Sequence, residues 1–334
     1  MLRDIRNYSL KEHNTFGIDA RCSRFLEYET LEETQQVARI LRESATPYII
    51  IGGGSNLLLT RDFEGIVVRS AVMGHAMSGR RMQCGSGEVW DDMVALSLQT
   101  GLYGMENLSL IPGDVGASAV QNIGAYGAEA KDFIVSVEAV EIATSQVRTF
   151  TNADCCYGYR DSRFKHDWKN CYLILRVTYE LSDTFQPRLD YGNIRAELER
   201  RGITEPTAQQ LRQVIIDIRR EKLPDPKEMG NAGSFFMNPV VSREKYLELA
   251  AQYVDMPHYT IDAAHEKIPA GWMIDQCGWK GRSLGRAGVH DRQALVLVNR
   301  GGATGSEIVT LCQTIQHDVR QRFGIDIHPE VNIV

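Results

Sequence analysis

The sequence predicts a protein of mixed helices and strands folded into two or three domains. Three observations carry this. The chain has 334 residues, too many for one small core. Helical and strand periodicities follow one another at the start and again in the last third, and strands dominate the middle. Composition is 43% hydrophobic and 24% charged, the balance of a globular chain and not of a disordered one.

The elements can be justified in order. Thr30 and Glu33 make a capping-box pair at a helix start, and Leu31, Val37, Ala38 and Leu41 recur behind it at helical spacing. Pro47 follows, then an apolar run at 48–51, read as a buried strand that stops in Gly52-Gly53-Gly54-Ser55-Asn56. Leu57-Leu58-Leu59 and a strand at 66–68 come next. Trp90, Val94 and Leu98 share one face of a helix that Gly101 stops. The runs 134–142 and 172–181 read as strands, the second with Leu173, Leu175, Val177, Tyr179 and Leu181 on one face. The stretch 108–127 is rich in Gly and Ala without a clean period, which lets backbone come close to something.

Leu211, Val214, Ile215 and Ile218 mark a helix, Leu223-Pro224-Asp225-Pro226 a turn, and 230–234 a Gly/Asn loop. Residues 246–253 read as helix and 294–298 as strand. Ile308, Leu311, Cys312, Ile315, Val319 and Phe323 form a long amphipathic helix ended by Gly324, before an extended tail at 329–334. Boundaries are expected near the strand ending at Arg69 and near Ala208, giving 1–69, 70–207 and 208–334. There is no internal repeat.

Charge and cysteine usage exclude several classes. The net charge is -6 with no basic block, so a nucleic-acid partner is not expected. An anionic small molecule would need a few placed cations to capture it. The 7 Cys are odd in number and scattered, with Cys155 and Cys156 adjacent and no C-x-x-C pair. That suits reduced thiols in a cytosol and offers no zinc spacing, so no metal is expected. The first residues lack a signal-peptide core, and no apolar run approaches the roughly 20 residues that span a bilayer. A soluble cytoplasmic protein without a membrane partner is the expectation.

Two glycine segments carry the first chemical signal. Gly52 to Asn56 sits at a strand end, where successive N–H groups can point at one anion. It is not the dinucleotide fingerprint, because no helix with that spacing follows. Its plain reading is a tight turn. Pro112-Gly113-Asp114-Val115-Gly116-Ala117 and Asn122-Ile123-Gly124-Ala125-Tyr126-Gly127 are small-residue runs that keep Ile, Val and Tyr. A flexible linker would lack those. A flat ring laid against backbone would explain the second segment and a phosphate the first, as two ends of one large cofactor.

Seven motifs then fall into line: I-G-G-G-S-N at 51–56, I-P-G-D-V-G-A at 111–117, N-I-G-A-Y-G at 122–127, Y-R-D-S at 159–162, R-x-x-K-L-P-D-P at 219–226, G-N-A-G-S-F-F at 230–236 and H-P-E-V at 328–331. In this order and spacing the chain resembles the UDP-N-acetylenolpyruvoylglucosamine reductases, from near residue 14 to its C-terminus. The resemblance implies an α+β fold: a two-lobed FAD-binding region of the vanillyl-alcohol oxidase (PCMH) type plus a C-terminal α/β substrate-binding lobe. It implies FAD, NADPH as reductant and UDP-N-acetylglucosamine enolpyruvate as substrate; non-covalent FAD and a monomer are separate expectations.

The resemblance also implies site residues. Gly52, Gly53, Gly54, Ser55 and Asn56 would cradle the FAD pyrophosphate. Pro112, Gly113, Gly116, Ala117, Asn122, Gly124, Ala125 and Gly127 would line the flavin. Arg160, Ser234 and Glu330 would be catalytic. An Arg beside an Asp is ordinarily an ion pair, but a guanidinium also grips a carboxylate two-pronged, and the enolpyruvyl group carries one. A Ser after Gly is ordinarily turn chemistry, and no Ser-His-Asp set is evident. Hydride addition to the enol ether nevertheless leaves a strongly basic carbon, which even a serine hydroxyl can protonate. Glu330 follows Pro329 in extended backbone and would ordinarily be solvated. With Arg160 it would stabilise the enolate-like charge. An ionised Glu would repel that charge, so a raised pKa or a cationic neighbour is expected there. Tyr126, Tyr159, Tyr191, Lys222, Asn238 and Gln293 would bind the substrate, Tyr191 from a loop of the longer family form that closes over it.

Two other readings compete. An oxidase of the same flavin class would share the first two lobes and lack Lys222, Ser234 and Glu330. It often attaches its flavin to a His or Cys, but His75 and Cys84 sit in no convincing motif. A non-catalytic nucleotide-sugar binder would have lost Arg160, Ser234 or Glu330, and all three are present.

Overall fold

The computed structural model describes residues 1–334. The chain forms two compact units. Unit 1 comprises 1–8, 22–53 and 64–221, and unit 2 comprises 9–21, 54–63 and 222–334.

Unit 1 holds two large sheets and a two-stranded hairpin. The first runs in the order Arg3–Ser9, Arg21–Tyr28, Phe63–Ser70, Tyr48–Ile51. Strands 48–51 and 63–70 are parallel, with Tyr48 opposite Ile66 and Ile51 opposite Arg69, so a crossover must lie between the glycine loop and the next pass. Helix α1, Leu31–Glu43, buries Val37, Ala38 and Leu41 as expected, while Leu31 stays 42% exposed. Its cap is half a capping box. Thr30 accepts from the Glu33 amide, but the Glu33 carboxylate accepts from the amide of Glu29.

The second sheet is antiparallel, in the order Val147–Thr151, Ile134–Glu141, Tyr172–Glu180, Arg81–Gly85, His75–Ser78. Strand 172–180 was expected to present one apolar face, and it serves two cores. Its register against 134–141 shifts between the pairs Glu138/Arg176 and Ala139/Ile174. Leu173 and Leu175 accordingly pack with Val37 and Leu41, whereas Ile174, Val177, Tyr179 and Leu181 join Trp90, Val94 and Phe133. An irregularity of this kind turns the side chains over. Helix α2, Trp90–Gln99, ends before Gly101, whose φ is +75°.

Inside the stretch without a clean period lies helix α3, Val115–Gln121. Gly116, Ala117, Ser118 and Ala119 supply its surface, too small to print an apolar period. Helices α4, Ile194–Arg200, and α5, Ala208–Lys222, close the unit. Ile194 and Leu198 pack with Leu211, Val214, Ile215 and Ile218, so the core of this unit continues past 207.

Unit 2 is built on an antiparallel sheet ordered Gly230–Ser234, Val296–Asn299, Ala287–Val289, Ser283–Leu284. The expected Gly/Asn loop at 230–234 is therefore a strand. Gly230 allows it: a Cβ there would lie 2.2 Å from the Phe16 carbonyl. A three-stranded sheet of 240–242, 265–267 and 259–260 carries α6, Arg243–Ala250. Helix α7 spans Ala270–Gln276, and α8 spans Gly305–Phe323. A full capping box lies at the start of α8, between Thr304 and Glu307, and Gly324 ends the helix at φ +65°. The tail pairs in parallel, Asn332 with Leu57 and Ile333 with Leu58.

Candidate active site

Unit 1 brings the two glycine segments together. A Cβ on Gly52 would lie 3.0 Å from that of Ala117, and one on Gly53 would lie 2.9 Å from Asp114 Oδ1 and 3.4 Å from Gly113 Cα. A Cβ on Gly116 would meet Ser86 at 2.9 Å. Part of the glycine signal is therefore loop packing on loop, which leaves the backbone of 52–53 and 113–117 as one surface. Asp114 is buried with Oδ2 lacking a hydrogen-bond partner. The Arg69 guanidinium stands 3.6 Å away, an ion pair too long for a hydrogen bond, and its other nitrogen donates to Glu27 at 2.7 Å. Burial pushes the Asp114 carboxyl up to about 6, against the opposing pull of Arg69.

The 122–127 segment is a hairpin. Gly124 pairs with Glu129 and Ala125 with Ala128, leaving Tyr126 (φ +48°) and Gly127 (φ +78°) as the two turn residues. Two left-handed residues in succession make the turn that matches strand twist. Asn122 caps α3 at φ +45°. Its carboxamide is engaged by protein, donating to Gly158 O at 2.6 Å and accepting from the Lys131 amide at 3.0 Å.

Arg160 comes to this hairpin. Its Nη2 donates to the Gly124 carbonyl, and its guanidinium sits 5.3 Å from the ring centre of Tyr159. Its backbone is left-handed at φ +56°, an uncommon state for a non-glycine residue and one found at sites that must hold a side chain in place. The carboxylate of Asp161 is taken by His166 at 2.8 Å.

Arg219, within the R-x-x-K motif but given no role from sequence, is a second cation here. Its Nε donates to Leu110 O at 3.3 Å. Burial pushes its pKa down, and Arg160 adds repulsion while Tyr126 and Asp91 oppose it. Helical spacing could have placed Arg219 near the buried face of α5, but only the fold shows that it reaches the Leu110 carbonyl. Tyr191 lies against Gly127, with 3.5 Å between its Cβ and a Cβ built on the glycine.

Unit 2 brings Ser234 and Glu330 together. The register of 230–234 against 296–299 shifts between Asn231 and Ser234, with Gly233 at φ +69°, the kind of bulge that re-aims a side chain. Beyond it, Phe236 bridges to Pro329 and the Glu330 amide donates to Phe235 O at 2.8 Å. Asn56, from the glycine motif, donates to the Glu330 carbonyl at 3.3 Å. Gly54 is held against the His13 carbonyl, 2.0 Å from a built Cβ.

Asn238 and Gln293 meet at the start of α7. Asn238 Oδ1 accepts from the Ala270 amide at 2.9 Å, so its NH₂ is the end left to donate outward. Gln293 Oε1 lies 3.2 Å from a Cβ built on Gly271. Lys222 is the last residue of α5. Thus Arg160, Tyr126, Tyr159 and Tyr191 belong to unit 1, and Ser234, Glu330, Asn238, Gln293 and Lys222 to unit 2.

The alternative flavin anchors fare differently. Cys84 is fully buried, with its thiol pushed up to about 12, which leaves no thiolate for attachment. His75 is exposed on strand 75–78. No helix is long and apolar enough to cross a membrane.

Comparison with known proteins follows the same division. Residues 23–151 match a family model described as FAD binding domain, and residues 225–334 match that of the UDP-N-acetylenolpyruvoylglucosamine reductase C-terminal domain. Proteins named UDP-N-acetylenolpyruvoylglucosamine reductase are similar along almost the whole chain. That of Bacteroides fragilis strain YCH46 is 52% identical, covering 98% of this chain and 99% of its own. That of Pseudomonas aeruginosa is 47% identical, covering 97% of each. The crystal structure of the reductase (MurB) from Thermus caldophilus superposes with a TM-score of 0.70 at 21% identity, covering 100% of this chain and 98% of its own. That likeness is one of fold, and it agrees with the α+β architecture.

Proposed function

The chain belongs to the UDP-N-acetylenolpyruvoylglucosamine reductase family, and on that premise we propose that it reduces UDP-N-acetylglucosamine enolpyruvate to UDP-N-acetylmuramate with NADPH, a step of peptidoglycan synthesis. When bound, FAD would supply hydride transfer between NADPH and the terminal carbon of the enol ether. Gly52 to Asn56 and the 112–127 segment would hold it, by close approach of backbone.

Arg160 pairs with the substrate carboxylate, as a forked cation does. Ser234 Oγ gives its proton to the carbon next to that carboxylate. Glu330, with Arg160, stabilises charge as it develops there. Tyr126, Tyr159, Tyr191, Lys222, Asn238 and Gln293 bind the rest of the UDP-sugar. We keep 1–69, 70–207 and 208–334 as the proposed lobes, and a cytoplasmic monomer as the working form. The observation that most supports this reading is the pairing of Phe235 with Glu330, which gives a proton donor and a carboxylate adjoining backbone.

The test is anaerobic. NADPH is added to the FAD-loaded protein, then the enolpyruvyl substrate. Bleaching of the visible flavin band followed by its return on substrate addition is the expected result. Return only on admitting air would instead identify an oxidase. Because one pocket would serve both ligands, double-reciprocal plots are expected to be parallel, and intersecting plots would overturn that part.

A further inference from the structure

Asn107 has been given no task. It is 1% exposed and lies in the short 3-10 turn Glu106–Leu108. Its Nδ2 donates to the Tyr126 carbonyl at 2.8 Å and to the Arg188 carbonyl at 3.0 Å, groups 19 and 81 residues away along the chain. Both N–H bonds of one buried amide are thus spent on two separate backbone segments.

Those segments carry Tyr126 and Tyr191, which pack across each other. Besides the contact of Tyr191 with Gly127, a Cβ built on Gly192 would lie 3.7 Å from the Tyr126 ring. Each ring rests on the glycine that follows the other tyrosine, a contact that needs both backbones in register. Tyr126 is left-handed at φ +48°, a state that a bulky residue keeps only when its surroundings impose it. The other segment is moored by the Arg188 guanidinium, at 2.8 Å from Asp132 and 5.4 Å from the Phe133 ring centre, but Tyr191 beyond it is 44% exposed. The Asn107 carboxamide touches both.

We propose that Asn107 is a positioning residue: its carboxamide ties the Tyr126 turn to the segment beginning at Arg188, so that Tyr126 and Tyr191 are presented to the UDP-sugar as one pair. This rests on reading those tyrosines as substrate contacts. The chemistry is specific. Two carbonyls need two donors, which Asn supplies. Asp supplies acceptors that face carbonyl oxygens, and Leu fills the space without bonding.

The test compares Asn107→Leu and Asn107→Asp with the unaltered protein in three readouts: FAD bound per chain, and kcat and KM for the enolpyruvyl substrate. FAD content should be retained and kcat should change less than about threefold, while KM rises about tenfold or more, as loss of buried hydrogen bonds that serve only binding would give. Asn107→Leu made on a Tyr191→Ala background should add little to KM, because its effect would already be spent. Should Asn107→Leu fail to take up FAD, Asn107→Ser, which keeps one short donor, carries the same comparison. An unchanged KM, or effects that multiply fully in the double variant, would overturn the positioning role. Failure of the unaltered protein to turn over the substrate would instead sink the functional reading beneath it.

Discussion

The backbone amide of Glu330 donates to the carbonyl of Phe235 at 2.8 Å, one residue beyond Ser234. Nearly a hundred positions of chain separate these motifs, yet the sheet edge fixes their backbones against each other. Replacing either side chain should therefore leave the pairing intact and remove only chemistry. Ser234→Ala is expected to keep bleaching by NADPH and to slow reoxidation by the enolpyruvyl substrate by about 10² to 10⁴, the range of a lost proton donor. Stopped-flow absorbance of the two half-reactions separates them. Equal slowing of both would assign Ser234 to structure.

Glu330→Gln tests the other side of that pairing. It keeps the shape and the main-chain bond and removes the ionisable group. A loss of about 10² to 10³ in the substrate half-reaction is expected if the side chain stabilises developing charge. An unchanged substrate half-reaction would remove Glu330 from that role.

The local motifs were legible because their chemistry is local. Thr30, Gly101 and Gly324 sit where the sequence put them, at one helix start and beyond two helix ends. What stayed hidden needed partners far away. Helix α3 shows no apolar period because its buried positions are small: Gly116 lies against Ser86 and Ala119 in the cluster around Trp90. Strand 230–234 reads as a loop until Val296 and Val298 pair with it. Arg219 sits inside a quoted motif, but its bond to the Leu110 carbonyl, 109 residues away, is a tertiary fact. Asn107 stands outside every motif, and only the meeting of two distant carbonyls reveals it.

Two glycines with nearly the same backbone separate strain from collision. Gly17 (φ +65°) has nothing within 4 Å of a built Cβ, whereas Gly54 (φ +68°) would meet the His13 carbonyl oxygen at 2.0 Å. Gly17→Ala should cost about 1 kcal/mol, the left-handed penalty alone. Gly54→Ala must also displace backbone and should cost about 3 kcal/mol or more. Denaturant unfolding of both variants measures the gap. Equal losses would show that the loop yields.

Thiol labelling reads the burial pattern directly. All seven cysteines are free; Cys156 is exposed, and Cys22, Cys84, Cys155 and Cys312 are buried. Burial also pushes the Cys84 and Cys312 thiols up to about 12 and Cys155 up to about 11, which withholds the reactive thiolate. Iodoacetamide on the native protein should modify Cys156 first and leave those four until unfolding. Early labelling of Cys84 by peptide mass would contradict the packing of the second sheet.

Asp114 makes stability depend on pH, and the sign follows from its burial. Its carboxyl is pushed up to about 6 from an ordinary 3.8, because desolvation outweighs Arg69. An acid with a raised folded pKa holds its proton more tightly in the folded state. Its favourable contribution is complete below 3.8, falls as pH rises towards about 6, and is constant above. The span amounts to about 3 kcal/mol. Asp114→Asn removes the titration while keeping the shape beneath Gly53. Denaturation of both proteins from pH 4 to 7.5 should show the variant gaining on the parent as pH rises to 6, with a level difference beyond. A difference that does not change with pH would mean that Asp114 ionises as freely as in water. Arg69→Met should push the same transition to higher pH, since Arg69 is the cation that opposes desolvation there.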